Sequence, residues 1–269
     1  MKDLRLSKRR FPHHSSLDSL QLSDRDHHIL DLVARFRIMS GSQLRELFWP
    51  DGEPESRARL ARRGLARLAS LDLLAPLARR VGGVRAGSAG YCFALGPAGQ
   101  RLLRDGRTRR PATPGARHLA HTLAVAQLYV ELVLTQRSGL VELVSFDPEP
   151  ACWRRYPGPF GASETLKPDA RVRLASGEYE VDWFIEIDLD TEGRTTIAGK
   201  AGRYRDCFNS GVLQAAEDVF PKTLWITPAT KRADLLKQVF AHFPEGDGRL
   251  FETTIDDEAI SALVGGLAR

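Results

Sequence analysis

Between Glu180 and Asp188 the chain alternates, Val181, Trp183, Ile185 and Ile187 against Asp182, Phe184, Glu186 and Asp188. A period of two belongs to an extended strand, because successive side chains of a strand point to opposite faces. Glu186 and Asp188 therefore share one face, and Ile185 and Ile187 the other. Just upstream, Lys167-Pro168-Asp169 leads a second short strand that turns near Ser176-Gly177. Asp169, at the start of that neighbouring strand, is placed to complete a cluster of three carboxylates. Asp169, Glu186 and Asp188 are thus candidate metal ligands, an oxygen site for Mg²⁺ or Mn²⁺ or the remains of one.

A chain of 269 residues with 42% hydrophobic content has room for two domains with real cores. It has no apolar run of eighteen or more residues, and its basic, polar start lacks the apolar stretch of a secretory signal. These features predict no membrane partner and a cytoplasmic protein. Cys92, Cys152 and Cys207 are odd in number and far apart, without a Cys-x-x-Cys pair. That excludes a disulfide framework and a thiolate zinc site, and makes all three small core residues.

Charge is divided unevenly along the chain. Residues 1–117 carry 23 Lys and Arg against 11 Asp and Glu, a net of +12, whereas residues 118–269 carry 16 against 23, a net of −7. Such a split implies two domains, the first suited to a polyanion. Residues 1–20 are basic and almost without periodicity, and read as a flexible arm. Residues 21–105 then read as one domain. Ser23 with Asp26 forms a capping box for a first helix, and Ser40-Gly41-Ser42 caps a second helix from Gln43 to Phe48. A third helix is expected from about Glu55 to Leu71. Its apolar face is predicted to carry Leu60, Ala61, Gly64, Leu65, Leu68 and Leu71, opposite Arg59, Arg62, Arg63 and Arg67. There is no acidic residue between Arg57 and Ser70, whereas a merely solvated helix face mixes both signs. Two strands, Leu73–Arg80 and Tyr91–Leu95, flank a Gly-rich basic hairpin bearing Arg79, Arg80 and Arg85.

Three helices, the third basic, followed by a basic hairpin, is the order of a winged helix-turn-helix domain. In that reading double-stranded DNA is the partner. The third helix enters the major groove, and Arg59, Arg62, Arg63, Arg67, Arg79, Arg80 and Arg85 form the DNA-binding set. Arginine suits the task because its planar fork grips phosphate or the guanine edge with two hydrogen bonds. A protein-interaction use of the same fold is the competing reading. Paired half-sites would imply a homodimer.

Residues 106–117, with Pro111, Pro114 and Gly115, have the composition of a linker. Beyond it, residues 118–269 read as a mostly buried helix, three strands, a helix from about Thr195 to Asn209, a strand Thr223–Thr227, a helix Lys231–Phe243 and a strand Arg249–Thr253. His118 and His121 stand one turn apart at the start of the first helix, as half a metal site or as capping and packing groups.

The order αβββαβ, with Pro168-Asp169 at the second strand and Glu186-Ile187-Asp188 in the third, resembles the core of the PD-(D/E)xK nuclease superfamily. The whole chain is then α+β, a winged helix-turn-helix domain followed by an α/β nuclease-like domain. The resemblance implies that the two acids hold a divalent metal while a lysine orients and activates water. Asp188 stands where that lysine should be. Lys200, on the following helix, or Lys167 is the candidate replacement, so the catalytic set would be Asp169, Glu186, Asp188 and Lys200. Seven acids between Glu178 and Glu192, without a basic residue among them, would repel a phosphate backbone unless a cation were bound.

From Leu22 to Thr227 the chain also resembles the bacterial replication-relaxation family of plasmids and mobile elements. The likeness rests on the helical start, His121-Thr122-Leu123-Ala124-Val125, Pro168-Asp169-Ala170, Phe184-Ile185-Glu186-Ile187-Asp188, Thr191-Glu192 and Lys200 to Tyr204. It implies a DNA-binding protein acting in replication, relaxation or its regulation, with other replication or relaxation proteins as partners and a degenerate nuclease-like domain. Two alternatives stand beside it, a Mg²⁺-dependent endonuclease or nickase and a winged-helix transcriptional repressor.

Overall fold

The structure is a computed structural model that describes residues 21–77, 91–103, 108–158, 161–244 and 247–268. It divides into two compact units, Met1–Pro114 and Gly115–Arg269, and the division falls inside the stretch 106–117. The expected arm over 1–20, and Arg79, Arg80 and Arg85 of the expected hairpin, lie outside the described residues. Among the described residues no helix is long and apolar enough to cross a membrane. The chain is a mixed α and β protein, as its patterning predicts.

The first unit begins with α1 (Asp24–Phe36), β1 (Met39–Ser40), α2 (Gly41–Phe48) and α3 (Pro54–Ser70). It continues with β2 (Leu74–Leu77), β3 (Cys92–Leu95) and α4 (Pro97–Leu103). Capping defines the first two helix starts. The Ser23 hydroxyl accepts from the Asp26 amide while the Asp26 carboxylate accepts from the Ser23 amide at 2.9 Å, and Ser40 and Gln43 repeat the arrangement for α2. Such a cap contributes about 1 kcal/mol. Pro54 occupies the first turn of α3, where its missing N–H costs nothing.

Ile29, Leu30 and Val33 of α1, Leu44 and Leu47 of α2, and Ala61, Leu65 and Leu68 of α3 make the core of this unit. The three strands form an antiparallel sheet in the order β1-β3-β2. Two glycines are there for close approach. A Cβ on Gly64 would lie 2.8 Å from the Trp49 ring, and one on Gly96 only 2.1 Å from the Asp72 carbonyl oxygen. The expected apolar face of α3 needs one correction: Leu60 is 47% exposed. It stands on the arginine side because the neighbouring elements cover only the stripe at Ala61, Leu65 and Leu68.

The second unit runs α5 (Ala116–Arg137), β4 (Glu142–Pro148), β5 (Arg154–Pro157), β6 (Ser163–Leu166), β7 (Ala170–Ser176) and β8 (Tyr179–Ile187). After these come α6 (Arg194–Asn209), α7 (Val212–Glu217), β9 (Lys222–Thr227), α8 (Thr230–Phe240), β10 (Phe251–Ile255) and α9 (Ala259–Gly265). Five strands form a mixed sheet in the order β10-β9-β8-β7-β4, with β5 and β6 as a separate hairpin. β4, β7 and β8 run antiparallel, whereas β8, β9 and β10 run parallel and are joined through helical crossovers.

Helices cover both sides of the central strand. Phe184 of β8 and Trp225 of β9 pack against Ile197, Ala201 and Tyr204 of α6 and Leu236 and Phe240 of α8. On the opposite side Trp183 meets Gly266, just after α9, where a Cβ would come within 2.7 Å of its ring. β8 is consequently buried on both faces from Trp183 to Ile187. Phe184, placed by alternation among the acids, is therefore a core residue.

Candidate functional site

β7 and β8 pair with Ala170 opposite Ile185, which sets Asp169 beside the end of β8. The Ile187 amide donates to Asp169 Oδ2 at 2.7 Å, and the Asp169 amide donates to the Ile185 carbonyl at 3.0 Å. Asp169 is held as a fixed part of the strand junction. His121, from the second turn of α5, brings Nε2 to 3.0 Å from the same Asp169 oxygen. Burial disfavours the charged imidazole, but the hydrogen bond to Asp169 and the charges of Asp169 and Glu186 outweigh it and raise the His121 pKa.

Glu186 shares the face of Phe184 and is 2% exposed. The Tyr204 hydroxyl donates to its Oε1 at 2.7 Å, and Lys200 Nζ stands 3.3 Å from its Oε2. Both partners come from α6, one turn apart, so the spacing that packs α6 on the sheet also delivers a hydroxyl and an ammonium to one carboxylate. Burial, then the charge of Asp169, pushes Glu186 up to about 8 against the pull of Lys200 and Tyr204. Lys200 is raised in turn: burial opposes its charge, but Glu186, Asp169 and Glu192 overcome it. Lys200 also lies 3.2 Å from Glu192.

Asp188 departs from the expected cluster. It follows the end of β8, and its Oδ2 accepts from Arg232 Nε at 3.1 Å and Nη2 at 2.7 Å, while its Oδ1 accepts from the Asp190 amide at 2.7 Å. Arg232 sits at the start of α8 and is buried with its partner. It also reaches Asp190 at 3.0 Å and the Glu192 carbonyl at 2.6 Å. Among the described residues no three His, Cys, Asp or Glu side chains gather as a metal site. The convergence of Asp169, Glu186 and Asp188 on one ion is thus replaced by an Asp169–Glu186 pair and a separate Asp188–Arg232 pair. The physical reason is that a buried carboxylate needs a counter-charge, and a guanidinium supplies it in two-pronged fashion.

The same compensation runs through the acidic stretch. Asp182 pairs with Arg171, which also pairs with Glu217. Arg173 reaches Glu180 at 3.5 Å. Cations from β7, α6 and α8 therefore neutralise a run that looks uniformly repulsive in one dimension. His121 was readable as a packing or capping group, and its pairing with Asp169 had no local signal. Tyr204 and Arg232 likewise reach the site only through the fold.

Two adjacent carboxylates could serve Mg²⁺ or Mn²⁺ only with water or phosphate oxygens completing the shell. The donor set is chemically suited to that use, since Asp169 and Glu186 present oxygen ligands alone. Both Glu186 oxygens are already engaged by Tyr204 and Lys200.

On the first unit, Arg59, Arg62, Arg63 and Arg67 are all exposed along α3. Arg67 differs from the others. Its Nη2 lies 2.5 Å from Oδ2 of the buried Asp26, which completes the capping box with Ser23 at the start of α1. Arg57, nearer the start of α3, donates through Nε to the Trp49 carbonyl at 2.7 Å. Arg59, Arg62 and Arg63 have no ion-pair partner among the described residues.

No curated protein and no solved structure matches the chain. The family model described as replication-relaxation matches residues 30–223, more than half of the 269 residues, and the chain belongs to that family.

Proposed function

We propose that the protein binds double-stranded DNA of a plasmid or other mobile element and acts in its replication, its relaxation or their regulation. The observation that carries this reading is the exposed, unpaired arginine face of α3, Arg59, Arg62 and Arg63, on a helix without an acid from Ser56 to Ser70. Three helices with a small antiparallel sheet suit a winged helix-turn-helix, whose third helix lies in the major groove. The guanidinium forks of Arg59, Arg62 and Arg63 then meet phosphates and base edges. Arg67 supports the domain through Asp26. Binding of labelled duplex over a range of salt tests the reading: affinity falls steeply with salt, and absent or salt-insensitive binding contradicts it.

A second reading is favoured by one observation, the approach of Lys200 to Glu186 beside Asp169. The element order α5, β4, β7, β8, α6, β9 accommodates a PD-(D/E)xK-like frame in which the lysine is supplied from α6. Asp169 and Glu186 would hold Mg²⁺ or Mn²⁺, which when bound polarises a phosphodiester. Lys200 would orient the attacking water or neutralise developing charge, and Asp188 would stay outside the chemistry with Arg232. Supercoiled plasmid incubated with either metal tests this. Nicking that disappears in Asp169→Ala and in Glu186→Ala supports an enzyme, and intact plasmid under all conditions supports a binding protein with a degenerate nuclease-like unit.

A further inference from the structure

The hairpin of β5 and β6, inserted between the first two strands of the sheet, forms one wall of a cavity of about 490 Å³. Glu164 and Lys167 line it on the hairpin side, Lys200, Arg203 and Tyr204 on α6, and Glu186 at its base. That volume lies in the range of ligand pockets. Its charges are unequally engaged. Glu164 accepts a hydrogen bond from Tyr156 at 2.9 Å, Glu186 is held by Tyr204 and Lys200, and Lys200 is shared with Glu192. Lys167 and Arg203 are exposed and have no ion-pair partner among the described residues. Lys167 Nζ lies over the Trp153 ring at 4.7 Å from its centre, which restrains the ammonium without neutralising it.

α6 adds a second peculiarity beside these cations. Gly199 and Gly202 stand in its interior, where a glycine costs about 1 kcal/mol relative to alanine. A Cβ at either would meet no atom of the described residues within 4 Å beyond the helix's own backbone, so packing among them does not require a glycine there. Gly199, one turn before Arg203 on the same side of the helix, leaves the surface bare there, so that another backbone can come close.

We propose that this cavity is a strand-binding site for single-stranded DNA, in which Lys167 and Arg203 grip phosphates of one strand, whose backbone leaves the cavity past Gly199. The inference rests on the reading that the protein's ligand is DNA, but it uses a different unit and a different form of DNA from α3. Two cations that line one cavity without an ion-pair partner among the described residues suit a single backbone, as in other single-strand channels. A cavity of about 490 Å³ is too small to take a duplex, whereas part of one strand can enter it with its bases outward. Lys200, committed to two carboxylates, would contribute less.

The test is fluorescence anisotropy of a short labelled oligothymidine, which cannot form the duplex that α3 requires, titrated with the full chain at low salt. The proteins are the unaltered chain, the Lys167→Ala/Arg203→Ala variant and the Arg59→Ala/Arg62→Ala/Arg63→Ala variant. Lys167 and Arg203 are exposed, so circular dichroism should show an intact fold. The expected result is a loss of affinity of about tenfold or more in the first variant, and a change within about twofold in the second. An oligothymidine that does not bind the unaltered chain, or binds the Lys167→Ala/Arg203→Ala variant equally well, overturns the proposal. Failure of the α3 reading shows separately, as duplex affinity that the triple variant does not lower.

Discussion

Lys200 Nζ lies 3.3 Å from Glu186 Oε2, so the cation beside this buried carboxylic group comes from α6 and not from the position two residues on, where Asp188 follows the end of β8. Above about pH 8, where Glu186 is ionised, replacing Lys200 with Met should therefore leave its carboxylate buried beside Asp169 without its ammonium. Breaking a wholly buried pair costs about 3–5 kcal/mol, and the partial exposure of Lys200 reduces this to about 1–3 kcal/mol. Adding Glu186→Gln should recover most of the loss. Urea unfolding midpoints at about pH 9 check both, and a Lys200→Met variant as stable there as the unaltered chain would show that the pair carries no weight.

Stability of the second unit should fall as pH rises from about 5 to 8. Burial lifts Glu186 from 4.5 to about 8. His121 is also raised, burial notwithstanding, by its bond to Asp169. Both groups hold more protons folded than unfolded in this window, so the slope of stability against pH is negative. The contribution is complete below the unfolded pKa values and is lost as pH climbs through the folded ones. Thermal midpoints measured across the range should decline, and Glu186→Gln should flatten the decline. A midpoint that climbs from pH 5 to 8 contradicts the assignment.

Arg232→Ala should destabilise the second unit by about 3–5 kcal/mol, because it strands the buried Asp188 carboxylate. Asp188→Asn should cost less, since Arg232 retains Asp190 and the Glu192 carbonyl. Equal costs, read from denaturant unfolding, would argue against this asymmetry.

The arginines of α3 should separate into two kinds. Arg67→Ala should cost roughly 1–2 kcal/mol of first-unit stability, because Asp26 loses the guanidinium but keeps Ser23. Arg62→Ala, fully on the surface, should stay within about 0.5 kcal/mol. Side-by-side melting of the two variants makes the comparison.

Much of the fold was readable from local chemistry. Ser23–Asp26 and Ser40–Gln43 announce their helices, and the period of two at Val181–Ile187 announces β8, because caps and alternation are short-range signals. β1 was too short to read: Met39 and Ser40 become a strand only because β3 lies alongside. The β5–β6 hairpin, α7 and α9 were likewise missed, being short and lacking a clear period. In the candidate site, the neighbourhood of Asp169, just before β7, and Glu186, in β8, was legible from the alternating pattern. The destination of Asp188 was not, since Arg232 lies 44 residues away in sequence. Leu60 shows the same limit on α3, where an apolar residue stays exposed because the fold brings no neighbour to it.

The central claim, that α3 holds duplex DNA through Arg59, Arg62 and Arg63, is tested most directly by the salt dependence of duplex affinity. Each neutralised phosphate contributes about 0.9 to the slope of log affinity against log salt. If these three side chains each meet a phosphate, the Arg59→Ala/Arg62→Ala/Arg63→Ala variant should bind more weakly and show a slope shallower by about 2.7. A slope and affinity equal to those of the unaltered chain would contradict the claim.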